Sequence, residues 1–217
     1  MKNTLLKQGL IFSLVAAIAL FCFNCDDSGV VTAENENYCI SGQISNWTGG
    51  SNKTLHARIY SVSGVRYSIA NCPIDAGGNF SVCMPTSVSD TTLFTSDSIF
   101  YSGCTSGTVT FNPPDVKGAE IYDFRVKSGD TTIGTVKKNN YDTLSPGAFS
   151  VMYIFVTKDV TVTGTKICTS DTLNFDGSAT TGWNKVVKHC TRTIGAGTTY
   201  LHNTSEPAGA IWKYNPF

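Results

Sequence analysis

The sequence predicts an all-β protein, two small β-sandwich-like domains in tandem stapled by disulfides. Three observations predict it. Apolar and polar residues alternate with a period of two over many short runs, as in strands buried on one face. Val, Ile, Tyr and Phe are plentiful, charged residues are only 15%, and Ser, Thr, Gly and Asn are abundant, a balance that favours strands and turns over helices. Eight cysteines are present, and the six after residue 37 form an even set suited to cross-linking.

The first 27 residues set the compartment. Lys2 and Lys7 precede an apolar run over residues 9–23, followed by Asn24, Cys25, Asp26 and Asp27. About 15 apolar residues fall short of the roughly 20 that span a bilayer, so the run reads as an export signal over residues 1–24. Its end resembles a bacterial lipoprotein signal, in which a cysteine becomes the acylated N-terminus. Cys25 is the expected lipidation site, because Cys-Asp-Asp-Ser-Gly starts a polar tether over residues 25–37. Cys22 and a plain secretory cut after Ala19 remain open. Palmitate-like acyl chains on Cys25 would hold the protein on the outer membrane or cell surface without a spanning helix.

The chain carries 16 basic and 16 acidic residues, and losing the leader lysines leaves it slightly acidic. With no polybasic run, nucleic acid is not an expected partner. Residues 25–217 suffice for one large or two small β domains. Outside the leader no Cys-x-x-Cys pair occurs, so no metal site and no cofactor are expected. In an exported chain Cys39, Cys72, Cys83, Cys104, Cys168 and Cys190 are expected to form up to three disulfides, with 15 connectivities open.

Structure is expected to begin at Tyr38. Residues 38–44 alternate, residues 46–53 are turn chemistry, and residues 55–62 and 65–70 alternate again around Ser63-Gly64. Residues 74–82 read as a hairpin with Gly77 and Gly78 at its tip. That register sets Cys72 opposite Cys83, leaving Cys39 for Cys104. Short strands are expected near residues 92–95, 98–101 and 108–111. Asn112-Pro113-Pro114-Asp115 is the strongest punctuation, and the boundary between domains 38–112 and 113–217 is placed there.

Beyond it, residues 122–126 and 131–136 flank a Ser-Gly-Asp turn as a second hairpin. Residues 149–156 are apolar on both faces, the mark of a central strand. Residues 159–165 alternate, Asp176-Gly177 reads as a turn, and residues 182–187 form a strand with Trp183 in the core. Cys168 and Cys190 flank this unit and are expected to bridge. Residues 198–202 and an edge strand over 208–214 complete the chain.

Two resemblances arise. Ile40-Ser41-Gly42-Gln43-Ile44-Ser45 and Ile74-Asp75-Ala76-Gly77-Gly78-Asn79-Phe80-Ser81 resemble the transthyretin-like β-sandwich modules called carboxypeptidase-regulatory-like domains. Lys158-Asp159-Val160-Thr161-Val162-Thr163-Gly164-Thr165, Gly182-Trp183-Asn184-Lys185-Val186-Val187 and Gly209-Ala210-Ile211-Trp212 resemble a group of uncharacterised bacterial envelope lipoproteins. Together they imply an envelope protein with no assigned activity, from which the extra cysteines depart.

No catalytic motif stands out. His56, His189 and His202 lie far apart in sequence, and Gly-x-Ser-x-Gly is absent. Asp75 and Asp176 sit beside turn glycines, which accounts for them. Aromatics are the better ligand candidates: Trp47 in a Gly/Asn-rich loop, and Trp212 and Tyr214 near the end. The expectation is a non-enzymatic, membrane-anchored lipoprotein serving as a structural or adhesion/binding module, with an envelope protein or glycan as partner. A small lipoprotein hydrolase or its accessory subunit, and a lipid-carrying barrel, are the alternatives.

Overall fold

The computed structural model describes residues 38–95, 104–194 and 197–217. The leader, Cys22, Cys25, the cut after Ala19, the tether and the strand expected at 98–101 lie outside the described residues. The fold is all-β, as the period-two alternation requires.

The first strands are β1 (Cys39–Gln43), β2 (Lys53–Tyr60), β3 (Arg66–Ile74) and β4 (Asn79–Cys83). Short β5 (Phe94–Thr95), β6 (Cys104–Ser106) and β7 (Val109–Asn112) follow. Then come β8 (Lys117–Ser128), β9 (Thr131–Asn139), β10 (Phe149–Val156), β11 (Val160–Cys168) and β12 (Asp171–Ala179). β13 (Gly182–Ile194), β14 (Gly197–Asn203) and β15 (Ile211–Pro216) end the chain.

β1 and β4 form a two-stranded sheet. The other strands form a second sheet in the order β3-β2-β8-β9-β10-β13-β14-β12-β11-β6, with β15 on β9, β5 on β8 and β7 on β11. β2 pairs β8 from Thr54↔Lys127 to Ile59↔Ile121, so the ladder crosses the boundary expected at residue 113. Residues 37–217 form one compact unit, so the tandem arrangement is not what these pairings build.

Two apolar cores explain the layout. The first gathers Ile40, Phe80 and Val82 of the small sheet against Leu55, Ile59, Phe124 and Val126 of the large one, with Trp212 and Tyr214. The second gathers Phe111, Val116, Val160, Leu173 and Phe175 of the strands and loops toward the β11 end of the large sheet. β10 serves both: Phe149, Val151, Tyr153 and Phe155 enter the first core, Ile154 and Val156 the second. That is the two-faced strand the apolar run over 149–156 predicts. Trp183 is buried as expected, and its Nε1 donates to the Pro85 carbonyl at 2.9 Å.

The expected hairpin over 74–82 is corrected. The turn forms, with Asp75 Oδ1 accepting from Asn79 N at 2.8 Å. Yet β3 pairs β2 while β4 pairs β1, so the turn carries the chain from one sheet to the other. Cys83 therefore faces Cys39, and these two are bonded. Cys104 is bonded to Cys168, its register partner on β11. The expected pairs Cys72–Cys83, Cys39–Cys104 and Cys168–Cys190 do not form: Cys72 and Cys190 are free, buried thiols. Cys72 lies on the core face of β3, whereas Cys39 and Cys83 lie on the outer face of the small sheet. Across loops of 44 and 64 residues the bonds contribute about 4 kcal/mol each in the chain-entropy account.

Asp176-Gly177 is also not a turn but the interior of β12, paired with Thr163 and Val162. The reversal falls at Thr180-Thr181-Gly182, where Gly182 has φ +101 and Asn184 Oδ1 accepts from Thr180 N. Hydrogen-bonding side chains there supply what Asp-Gly would have supplied.

Asn46 ties the two sheets together. Its amide donates to the Tyr214 carbonyl at 2.8 Å and accepts from Tyr214 N at 2.7 Å, replacing a backbone partner for β15. Asn46→Ala is expected to cost about 1–3 kcal/mol in urea unfolding by leaving both groups unpaired; a change below a few tenths would contradict this role. Peptide mapping under non-reducing conditions should recover the Cys39–Cys83 and Cys104–Cys168 links. Alkylation should reach Cys72 and Cys190 only after denaturation, and recovery of a Cys72–Cys83 peptide would refute the register.

Candidate functional site

The site is built on the face of β8 turned away from the first core. Ala119, Ile121, Phe124 and Val126 point into that core. Glu120, Asp123, Arg125 and Lys127 therefore take the opposite face, by the alternation of a strand. Tyr122 is the extra residue of a bulge, since Arg58 pairs Asp123 and Ile59 pairs Ile121. The bulge pushes Tyr122 outward, 49% exposed.

Around Tyr122 stands an aromatic and cationic cluster. Its ring meets Tyr60 edge-on at 4.4 Å, and the Arg66 guanidinium lies 5.1 and 5.0 Å from the two ring centroids. Arg66 Nε also donates to Tyr60 Oη at 2.9 Å. Beside it, Arg58 grips Asp123 through two hydrogen bonds of 2.7 Å, and Arg125 Nε adds a third of 2.7 Å. Burial raises the Asp123 carboxyl, but the two guanidiniums outweigh it and hold it below the usual range.

Next along this face the sheet forks. β8 pairs β10 through Gly118, Ala119 and Glu120, and pairs β9 only from Phe124 onward. β9 meets β10 only at Asn139↔Ser150 and Lys138↔Val151. The three strands thus enclose a cleft of about 190 Å³, bordered by Glu120, Tyr122, Asn139, Tyr141, Ser150 and Met152 among others. Directly paired residues share a face, so Glu120 lies with Ile154, and Asn139 with Ser150.

Two polar groups at the fork are out of the ordinary. Burial pushes the Glu120 carboxyl up to about 7, against the opposing pull of Lys188. Asn139 is 9% exposed, and its buried Oδ1 has no hydrogen-bond partner. Lys188 is itself lowered by burial, with Asp171 and Glu120 resisting, and its Nζ sits 3.8 Å from the Tyr200 ring centroid.

The residues expected from sequence fall elsewhere. Trp212 and Tyr214 are 4% and 6% exposed. They are core rather than ligand-facing, because β15 presents them to the first core. Trp47 is half-buried, donates from Nε1 to the Gly50 carbonyl at 3.0 Å and meets Tyr214 edge-on at 5.1 Å. A side chain at Gly78 would sit 2.7 Å from Trp47 Cβ, so the loop is moulded round the indole.

The histidines stay apart. His56 contacts the Thr54 and Ser68 hydroxyls at 2.9 and 3.1 Å, and burial, then Lys127 and Arg58, lower its pKa. This places a serine beside a histidine on an open face, with a second hydroxyl where a triad has a carboxylate. His189 packs on Phe149, and His202 stacks on Phe175 at 4.8 Å, lowered to about 3 by burial and Lys188. Among the described residues no group of three or more His, Cys, Asp or Glu could hold a metal. A cavity of about 40 Å³ in the second core, lined by Phe111, Ile154, Val160 and Phe175, has room for about one water.

Sequence reasoning missed Glu120, Asn139 and Met152. The signal for the first was present: Ala119-Glu120-Ile121 sets a carboxylate in a run whose alternation continues into the core. Nothing local marked Asn139, since its isolation arises from a fork between distant strands. No protein family, curated protein or solved structure matches this chain.

The folded state holds the Glu120 proton more tightly than the unfolded chain, so ionising it opposes folding. The penalty is absent below about pH 4, grows as pH rises toward 7 and levels off above, at no more than about 3 kcal/mol. Glu120→Gln should match the parent in thermal stability at pH 4 and exceed it at pH 8. A constant difference between the two pH values would contradict the assignment.

Proposed function

We propose that this chain is an exported binding module of the bacterial cell envelope, tethered to a membrane by acyl chains on Cys25, and that it works without catalysis. The observation that carries the reading is the Tyr60–Arg66–Tyr122 cluster, held in order on an open sheet face by ring, cation and hydrogen-bond contacts. Pre-ordered aromatic and arginine side chains lose little freedom on binding, which is why they dominate interaction surfaces. Two cross-strand disulfides support delivery to an oxidising compartment. The leader over residues 1–24 supports it independently.

The hydrolase alternative has less behind it, because both His56 ring nitrogens contact hydroxyls on an open surface. The lipid-carrying barrel has less still, because the 40 Å³ cavity is far smaller than an acyl chain.

Two experiments test the reading. Cys25→Ser should move the protein from membrane to soluble fraction, and retention with an unmodified N-terminus would remove the anchor. Arg66→Ala with Tyr122→Ala should lower retention on isolated envelope fragments at least tenfold, while stability changes by about 0.5 kcal/mol or less per site. Undiminished retention would remove the face from the proposal.

A further inference from the structure

The cleft at the fork of β8, β9 and β10 calls for a ligand of particular chemistry. Asn139 Oδ1 is buried there without a partner, and an unpaired buried acceptor is costly unless something donates to it. Glu120 and Ser150 border the same cleft and add further polar atoms. Around them stand Tyr122, Tyr141 and Met152, which present apolar faces. The charges do not ask for an ion. Asp123 is taken by Arg58 and Arg125, Lys138 by Glu206, Lys188 sits over the Tyr200 ring while pulling on Glu120, and the remaining Glu120 and Lys137 have opposite signs. The space, about 190 Å³, equals on the order of six waters, the scale of one sugar ring.

We infer that this cleft binds one neutral hexose ring, whose hydroxyls donate to the Glu120 carboxyl and, with a turn of the Asn139 side chain, to its Oδ1, while its C–H face packs on tyrosine. Many donors set round an apolar-faced disc are what the cleft lacks. An apolar ligand would leave Asn139 Oδ1 unpaired. A cation would meet the Lys137 ammonium, and an anion would meet Glu120. The inference rests on the binding-module reading and names the ligand class for it. The ligand is either a free monosaccharide or the terminal residue of a glycan, which share this chemistry.

The chain contains three methionines, Met1, Met84 and Met152. Met152 borders the cleft and Met84 is buried in the first core at 1% exposure. Methyl-13C methionine labelling of the full chain therefore supplies a reporter and an internal control. Glucose, galactose, mannose and N-acetylglucosamine are titrated separately, each to 50 mM, then as methyl glycosides. At least one sugar should shift Met152 saturably, with Kd on the order of 1–10 mM, leaving Met84 unmoved. Binding of both free sugar and methyl glycoside marks a glycan terminus, and binding of the free sugar alone marks a monosaccharide. Asn139→Ala should weaken it about fivefold or more, and Ser150→Phe should abolish it, with Met84 at its parental position reporting a folded core. Silence at Met152 for all four sugars, parallel shifts at both methyls, or unchanged affinity in Asn139→Ala overturns the inference. Sugar binding that survives while Arg66→Ala with Tyr122→Ala leaves envelope retention untouched counts against the exposed face alone. Retention without a Met152 response counts against the cleft alone.

Discussion

The structure depends on one strand that feeds both apolar cores. β10 gives Tyr153 and Phe155 to one core and Ile154 and Val156 to the other, so neither core closes without it. Burial of this strand on both sides removes several large side chains from water, each contributing about 1.5–3 kcal/mol. Its partners follow from that. A strand covered on both faces needs ladders on both edges, which β13 supplies along its whole length and β8 and β9 supply in turn.

The same constraint produces the fork. One edge of β10 is shared by two strands, and the handover from β8 to β9 leaves a stretch that neither covers. Glu120 marks the last rung on one side and Lys138 the first on the other, with Asn139 one rung beyond it. A polar group at such a seam is buried by geometry rather than by its own hydropathy. That is why a carboxyl with an ordinary strand neighbourhood has its proton affinity raised, and why an asparagine amide is left without a partner.

Local chemistry was legible in the sequence, and distant pairing was not. The boundaries of β10 coincide with the apolar run over 149–156, and the Ser-Gly-Asp turn joins β8 to β9 as a true hairpin. Trp183 in the core follows from its place in an alternating run. The turn at Asp75–Asn79 was legible as a turn, but a turn specifies a reversal and not which strands then pair. Both strands beside it found better partners elsewhere, and the cysteine pairing changed with them. Asn112-Pro113-Pro114 ends β7 as its chemistry demands, yet ending a strand is not ending a domain: β8 returns to β2. Trp212 and Tyr214 illustrate a related limit. Their strand has a full ladder on β9 alone and is held on its other edge by residues 44–46, and its inner face closes a core, so position near the chain's end says little about exposure.

The bonded cysteines have a consequence of order. The links 39–83 and 104–168 close two consecutive rings that do not overlap along the chain. On the proposed export route, a polypeptide emerging N-terminus first can seal the first ring before any sulfur of the second has appeared. The rival thiol inside that ring, Cys72, is drawn out of reach once its strand zips against β2. Oxidation can thus keep pace with emergence, with no wrong bond to undo afterwards.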